Sequence, residues 1–289
     1  MELTVVVASL EARHTIASCL NRLASACAGL EHEILVCDAS TDGTGELVRA
    51  RLDPQQVLGF PVGTLAPELW REGIARARGR VVALTTAHCL VTPDWASALI
   101  GAIDGGAAAA GGPFRVGPGT GPTDWAVFYL RYSAFLPAVM GRGRTDGELA
   151  GDNAAYRHAD LMRHPDVYAH GFWELDMHRV IRSEGGWLEA VPAAVCEFGR
   201  AFPFGAVVRH RFAHGQHSGA SRVSQGIRPA WQIVAGSPLV PVILARRAAG
   251  RVIADGGSWR FWVALPWFLA LASAWAAGEA LGAWRRSRE

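Results

Sequence analysis

The sequence predicts an α/β protein, a Rossmann-like and mostly parallel sheet flanked by helices, with a carboxyl-terminal apolar helical membrane segment. Three observations predict it. Short β-rich runs alternate with stretches of helical period from the amino terminus onward. Those runs, "LTVVVASL", "HEILVCDAS" and "RVVALTTA", are continuously apolar, as in strands covered on both faces. From residue 226 the chain becomes richer in Trp, Ala and Arg and loses the alternation.

The elements follow in order. "TIASCLNRLASACAG" places apolar residues at helical spacing and stops at Gly29, a suitable residue just past a helix end. "STDGTGELVRARL" opens a second helix with Ser, Thr and Asp available to cap it. "PELWREGIARARG" is a third helix, before the strand "RVVALTTA". "DGGAAAAGGPFRVGPGTGPTDW" is so rich in Gly, Ala and Pro that it is expected to be mostly loop, separating two halves of one domain. Helical patterns return at "WAVFYLRYSAFLPAVM", "AAYRHADLMR" and "ELDMHRVIRSEGG". The expected organisation is a catalytic domain over 1–225, with a nucleotide-binding half at 1–110 and an acceptor-binding half at 111–225. A membrane-associated helical segment over 226–289 completes it.

Half of the residues are apolar and 19% charged, which supplies a substantial core and argues against disorder. The net charge of +2 gives no reason to expect a nucleic-acid partner. Five cysteines, odd in number and without metal-type spacing, read as buried apolar residues in a reducing compartment. The amino-terminal apolar run is too short for a signal peptide, so the catalytic part is expected in the cytoplasm. The stretch from Phe261 to Trp284, bracketed by Arg260 and by Arg285, Arg286 and Arg288, is near the minimum length for crossing a bilayer. "SPLVPVILARRAAGR" before it suits an amphipathic interfacial helix, and a buried helix of a soluble domain is the competing reading.

Asp38 ends the second strand, where open α/β sheets place their ligands, and its carboxylate suits a base or ribose. Asp42 is expected to cap the following helix. The succession "VVVASLEARHTIASCLNRL", "EILVCDASTDGT" and "GIARARGRVVAL…PDW" resembles the inverting family 2 glycosyltransferases with the A-type fold, over roughly the first 220 residues. The resemblance implies transfer of a sugar, with inversion, from a nucleotide diphosphate donor to a lipid-linked or glycan acceptor. It implies nucleotide contacts at Ala8, Ser9, Glu11 and Asp38. Arg71 joins them from "WREGI", which departs from the Arg-Asn-x-Gly-Ile step of many members.

Where the family carries a metal-holding Asp-x-Asp, this chain has Thr86-Ala87-His88. One imidazole and a hydroxyl are a weak site for Mg²⁺ or Mn²⁺, so a divalent metal at His88 and a metal-poor variant both stay open. Asp152, Asn153 and Trp173 fall on the acceptor side of the resemblance. Glu174 and Asp176 match the acidic cluster containing the base, with Glu174 preferred and Phe172 and Trp173 as an apolar surround. Arg209, Arg211 and His214 lie in the basic stretch that would cover the donor diphosphate. A zinc site there has the wrong spacing. The alternatives are a nucleotidyltransferase, against which stands the lack of a Gly-rich, Lys-containing phosphate loop, and a catalytically silent relative that binds a glycan or a partner enzyme.

Overall fold

The structure is a computed structural model that describes residues 1–199 and 203–288. The chain divides into two compact units, Met1–Pro118 with Pro137–Arg200, and Gly119–Leu136 with Ala201–Glu289.

The first unit runs β1 (Leu3–Ser9), α1 (Ile16–Ala26), β2 (His32–Asp38), α2 (Thr44–Arg49), β3 (Val57–Gly59), α3 (Ala66–Ile74), β4 (Val81–Thr86) and β5 (Cys89–Val91). It continues with α4 (Trp95–Asp104), β6 (Ala109–Gly111) and β7 (Phe114–Val116). The chain then passes through α5 (Pro122–Tyr132), which belongs to the second unit. Back in the first unit are α6 (Pro137–Met140), β8 (Gly143–Thr145), β9 (Asn153–Arg157), α7 (His158–Arg163), α8 (Glu174–Ser183), β10 (Leu188–Ala190) and β11 (Cys196–Phe198).

Eight strands form the main sheet in the order β3-β2-β1-β4-β9-β6-β10-β8. The first four are parallel, β9 runs antiparallel to both β4 and β6, and β8 is antiparallel to β10. A three-stranded sheet, β5-β11-β7, stands beside it. Every residue of β1 and β4 is buried, and the sheet is covered on both faces, as continuous β-branched runs require. Ile16, Cys19, Leu20 and Leu23 of α1 bury one face; Leu69, Trp70 and Ile74 of α3 bury the other. Gly73 allows that second contact, since a Cβ there would stand 2.1 Å from Val6 Cγ1.

Two expectations are corrected here. The Ala/Gly-rich middle stretch is not mostly loop, for it supplies β6 and β7. Its small residues allow close strand approach; a Cβ on Gly112 would lie 1.7 Å from the Ala194 carbonyl oxygen. "AAYRHADLMR" is not one helix either. Its first half is β9, wedged between β4 and β6, and only the second half is α7.

The second unit is helical among its described residues, with α5, α9 (Phe204–Ser224), α10 (Ala230–Gly236), α11 (Val240–Ala254) and α12 (Trp259–Arg286). The basic stretch, expected within 1–225, is the body of α9 in this unit. Glycines set this helix pair. A Cβ on Gly215 would stand 2.1 Å from the Trp275 carbonyl oxygen, and one on Gly219 2.0 Å from that of Glu279. Gly278 and Gly282 meet the Phe212 and Gln216 carbonyls at 2.1 and 2.0 Å in the same sense. Two Gly-x-x-x-Gly steps, "GQHSG" and "GEALG", thus bring two parallel helices into backbone contact. Arg222 closes the pair with an ion pair to Glu279 at 2.6 Å.

Candidate functional site at the carboxyl ends of the strands

The parallel strands β1, β2 and β4 end on one edge of the sheet, the edge that binds ligands in open α/β folds. β9 starts there as well, since Asn153 pairs with Thr85. Ser9 and Asp38 lie in register at the ends of β1 and β2. The Asp38 carboxylate accepts a hydrogen bond from Ser40 Oγ at 2.6 Å, and its other oxygen lies over Gly45, where a Cβ would stand 2.7 Å away. A side chain at position 45 would displace that oxygen.

The two loops beyond these strands are laced together. Glu11, at φ +47°, donates its N–H to Ser40 Oγ at 2.8 Å and accepts from Thr41 N–H at 2.7 Å and Thr41 Oγ at 3.0 Å. A non-glycine residue in this left-handed region is strained, and here hydrogen bonds on both sides hold it. Asp42 accepts from Thr44 N–H at 3.1 Å, as a helix-capping residue does, and from Arg13 N–H at 3.0 Å. Burial alone would raise the Asp42 carboxyl, but the bonds from Thr44 and Arg13 outweigh it and hold the group below its ordinary pKa.

The side chains of Ala8 and Ser9 are buried at 1% exposure or less. Their carbonyls accept from Ala87 and Ala39 N–H, each at 3.0 Å. The Ser9 hydroxyl is buried with no hydrogen-bond partner. Arg71 is also turned to structure. Its guanidinium donates to the Ala169 carbonyl at 2.8 Å and to Glu72 at 2.5 Å.

His88 is buried, with Nε2 3.2 Å from the Leu10 carbonyl and Nδ1 3.5 Å from Thr15 Oγ. A carbonyl only accepts, so Nε2 carries a proton and Nδ1 faces a hydroxyl. Thr86 Oγ lies 3.3 Å from Cys89 Sγ. These groups do not fit a divalent ion, which asks for several unprotonated oxygen or nitrogen ligands. Among the described residues no group of three His, Cys, Asp or Glu side chains is placed to hold a metal. His88 instead makes hydrogen bonds that join the end of β4 to the β1–α1 loop.

On the acceptor side, Asn153 is wholly buried and fully engaged. Its Oδ1 accepts from Trp95 Nε1 at 2.6 Å, and its Nδ2 donates to the Ala194 and Pro113 carbonyls at 3.0 and 3.3 Å. Its amide pins β9 to α4 and to the backbone at Pro113 and Ala194. Asp152 beside it is buried. Trp173 is 40% exposed, while Phe172 is fully buried against Tyr156, with ring centroids 5.1 Å apart.

The two candidate bases separate clearly. Glu174, the first residue of α8, turns a carboxylate oxygen toward Gly151 and the Trp70 ring; a Cβ on Gly151 would stand 3.2 Å from that oxygen and 3.0 Å from the ring. Asp176 instead ion-pairs with Arg179 at 2.7 Å on the surface of the same helix.

Sequence reasoning missed what holds α8. Tyr156 Oη, on β9, donates to His178 Nε2 at 3.0 Å, and His178 Nδ1 donates to Glu148 at 2.5 Å. The other Glu148 oxygen accepts from Arg182 at 2.9 Å, and Arg182 also donates to the Asp146 and Gly147 carbonyls. His178 and Arg182 follow Glu174 at successive helical turns, and that spacing was the available signal. The clamp fixes both α8 and the loop that ends at Gly151 and Asp152.

Arg209, Arg211 and His214 lie on α9 in the second unit, not on the sheet body that carries Asp38 and Glu174. Removal from water, with Arg131 close by, lowers Arg211 to about 10, and its Nε has no partner. His214 is pushed down to about 4 by removal from water and by the cationic neighbours His210, Arg211, Arg131 and His217, so it carries no charge at pH 7.

The fold and its ligand edge define a doubly wound α/β body of the kind that binds nucleotides. The chain belongs to glycosyl transferase family 2, whose model matches residues 4–164. It is similar to the structure of Staphylococcus aureus TarS 1–349 in complex with UDP, at 14% identity and a TM-score of 0.52, over 94% of this chain and 90% of that one. It is also similar to the mannosyltransferase PcManGT from Pyrobaculum calidifontis in complex with GDP-Man and Mn²⁺, at 19% identity and 0.50, over 96% and 85%. Against TarS 1–349 with UDP-GlcNAc, 70% of this chain spans 59% of that one, at 16% identity and 0.48. The curated proteins gave no match. The family match and the sheet establish the expected A-type fold.

Proposed function

We propose that this protein transfers a sugar, with inversion, from a nucleotide diphosphate donor to a lipid-linked or glycan acceptor, working at a membrane surface with its catalytic unit in the cytoplasm. The observation that carries the chemistry is the Glu174 carboxylate, held beside Trp70 and Gly151 at the ligand edge of a family 2 sheet. In an inverting transfer one carboxylate takes the proton of the acceptor hydroxyl as oxygen attacks the anomeric carbon. The bond to the leaving nucleoside diphosphate breaks on the opposite face.

Asp38, at the end of β2, receives the base or ribose of the donor, a uridine or other pyrimidine nucleotide in this reading. Asp152 and Trp173 border the acceptor. The donor set at Thr86 and His88 supplies no carboxylate, so in this reading binding of the diphosphate does not depend on a divalent ion held there. Family membership supports the transfer reading, and two long apolar helical stretches, Ala230–Ala254 and Trp259–Arg286, support the membrane reading.

A thermal-shift panel of nucleoside diphosphates and nucleotide sugars, each with EDTA or Mn²⁺, tests the proposal. At least one ligand should raise the melting temperature by mass action, with EDTA present. Silence across the panel would favour a relative that has lost donor binding.

A further inference from the structure

We infer that the second unit docks in the plane of an anionic membrane surface, through the outer face of α12 and an arginine-bearing face of α11. The inference rests on the membrane reading proposed above and specifies its geometry and lipid class.

The outer face of α12 is continuous. Trp259, Trp262, Pro266, Ala270, Ala277 and Trp284 are exposed at steps of three, four or seven residues, which puts them on one side of the helix. Twenty-eight residues make that stripe roughly 40 Å long. Phe261, Phe268, Leu271, Gly278 and Gly282, on the opposite side, are buried in the unit. Tryptophans at both ends suit the level of lipid headgroups, where an amphipathic ring sits. Arg288 lies over the Trp284 ring at 3.7 Å and Arg260 over Trp259 at 5.9 Å, so cations accompany the aromatic groups.

Length and composition alone would let α12 cross a bilayer. Its packing argues otherwise. The Gly-x-x-x-Gly contact keeps α9 beside it, and α9 exposes Arg209, His210 and His217. A crossing α12 would bring these groups into hydrocarbon, where ionisable side chains are strongly disfavoured. Lying flat, α12 gives its apolar stripe to the acyl boundary and leaves α9 in water.

Charge selects the lipid. Residues 119–136 and 201–289 hold twelve arginines and four acidic residues. On α11, Val242, Ile243, Arg246, Arg247 and Ile253 are exposed on one face, mixing apolar and cationic groups as an anionic interface requires.

The test is flotation of the full chain with vesicles of phosphatidylcholine alone or mixed with phosphatidylglycerol. Binding should need the anionic lipid and fall with salt. R246Q with R247Q should weaken it roughly 25-fold, about fivefold for each arginine. Topology is read in the same vesicles with an impermeant maleimide on A254C and, separately, S287C. All five native cysteines are buried, which keeps the background low. Both new thiols should react from outside. Protection of either one would overturn in-plane docking while keeping the membrane reading, and equal binding to both lipids would overturn the anionic preference. Binding to neither vesicle would overturn the membrane reading along with this inference.

Discussion

Glu174 and Asp176 stand two residues apart in one helical turn, yet one faces Trp70 and Gly151 while the other is held outward by Arg179. That difference in direction, more than any difference in chemistry, supports the proposal of Glu174 as the base. Glu174→Gln keeps size and removes proton acceptance, so turnover should fall by roughly two to four powers of ten with donor affinity nearly unchanged. Asp176→Asn should leave turnover within a few-fold; the reverse pattern would move the base to Asp176. His88 is a different kind of residue. His88→Ala breaks bonds to Leu10 and Thr15 and should destabilise the fold by about 1–3 kcal/mol in a denaturant titration. It should leave the response of activity to Mg²⁺ or EDTA unchanged. At this scale the sequence was only partly legible. The acidic pair and Asp38 could be placed by position in a strand or helix, but Asn153 and Arg71 could not. Their partners, Ala194 and Ala169, are distant in the chain and offer only backbone carbonyls, which carry no side-chain signal.

At the scale of elements, α8 depends on buried polar groups. An ion pair with Glu148 would raise the His178 pKa, but burial outweighs it and Arg182 opposes it too, so the pKa lies below its ordinary value. Burial also works to raise Glu148, and there the hydrogen bonds from Arg182 and His178 prevail and lower it. Both shifts act in one direction on stability. A group with a lowered folded pKa contributes stability above its unfolded pKa and loses it as pH falls through the folded one. Acidification from about pH 6.5, the ordinary histidine value, should therefore weaken the clamp progressively. The drop in melting temperature between neutral and acid pH should be smaller in His178→Gln than in the native chain; an equal drop would place the acid sensitivity elsewhere. The pair of α9 and α12 makes a second demand. Gly282→Val drives a side chain into the Gln216 carbonyl and should cost about 1–3 kcal/mol or more, read as earlier proteolysis of the second unit. Here too legibility was uneven. Strands β1, β2 and β4 announced themselves by continuous apolar runs, whereas β6 is Ala-Ala-Gly and β9 opens Asn-Ala-Ala, residues whose strand role comes from close packing and not from propensity.

For the whole molecule, the net charge of +2 conceals two units of opposite net charge. The first unit holds sixteen arginines against twenty-two acidic residues, and the second holds twelve against four. The sum over the chain therefore says little about either partner. The fold class was readable because an alternating strand and helix order leaves few sheet topologies open. The division into units was not, because α5 enters the second unit from the middle of the chain, and the glycines of α9 gain meaning only beside those of α12.

The central claim is that the strand edge at Asp38 binds a nucleoside diphosphate without an Asp-x-Asp metal site. Calorimetric titration tests it most directly, with UDP, GDP, CDP and ADP in EDTA, on the native chain, on Asp38→Asn and on Glu174→Gln. The account predicts that at least one nucleotide binds the native chain, that Asp38→Asn weakens it by about 1–3 kcal/mol, and that Glu174→Gln leaves it unchanged. No binding until Mn²⁺ or Mg²⁺ is added, or an affinity indifferent to Asp38→Asn, would contradict it.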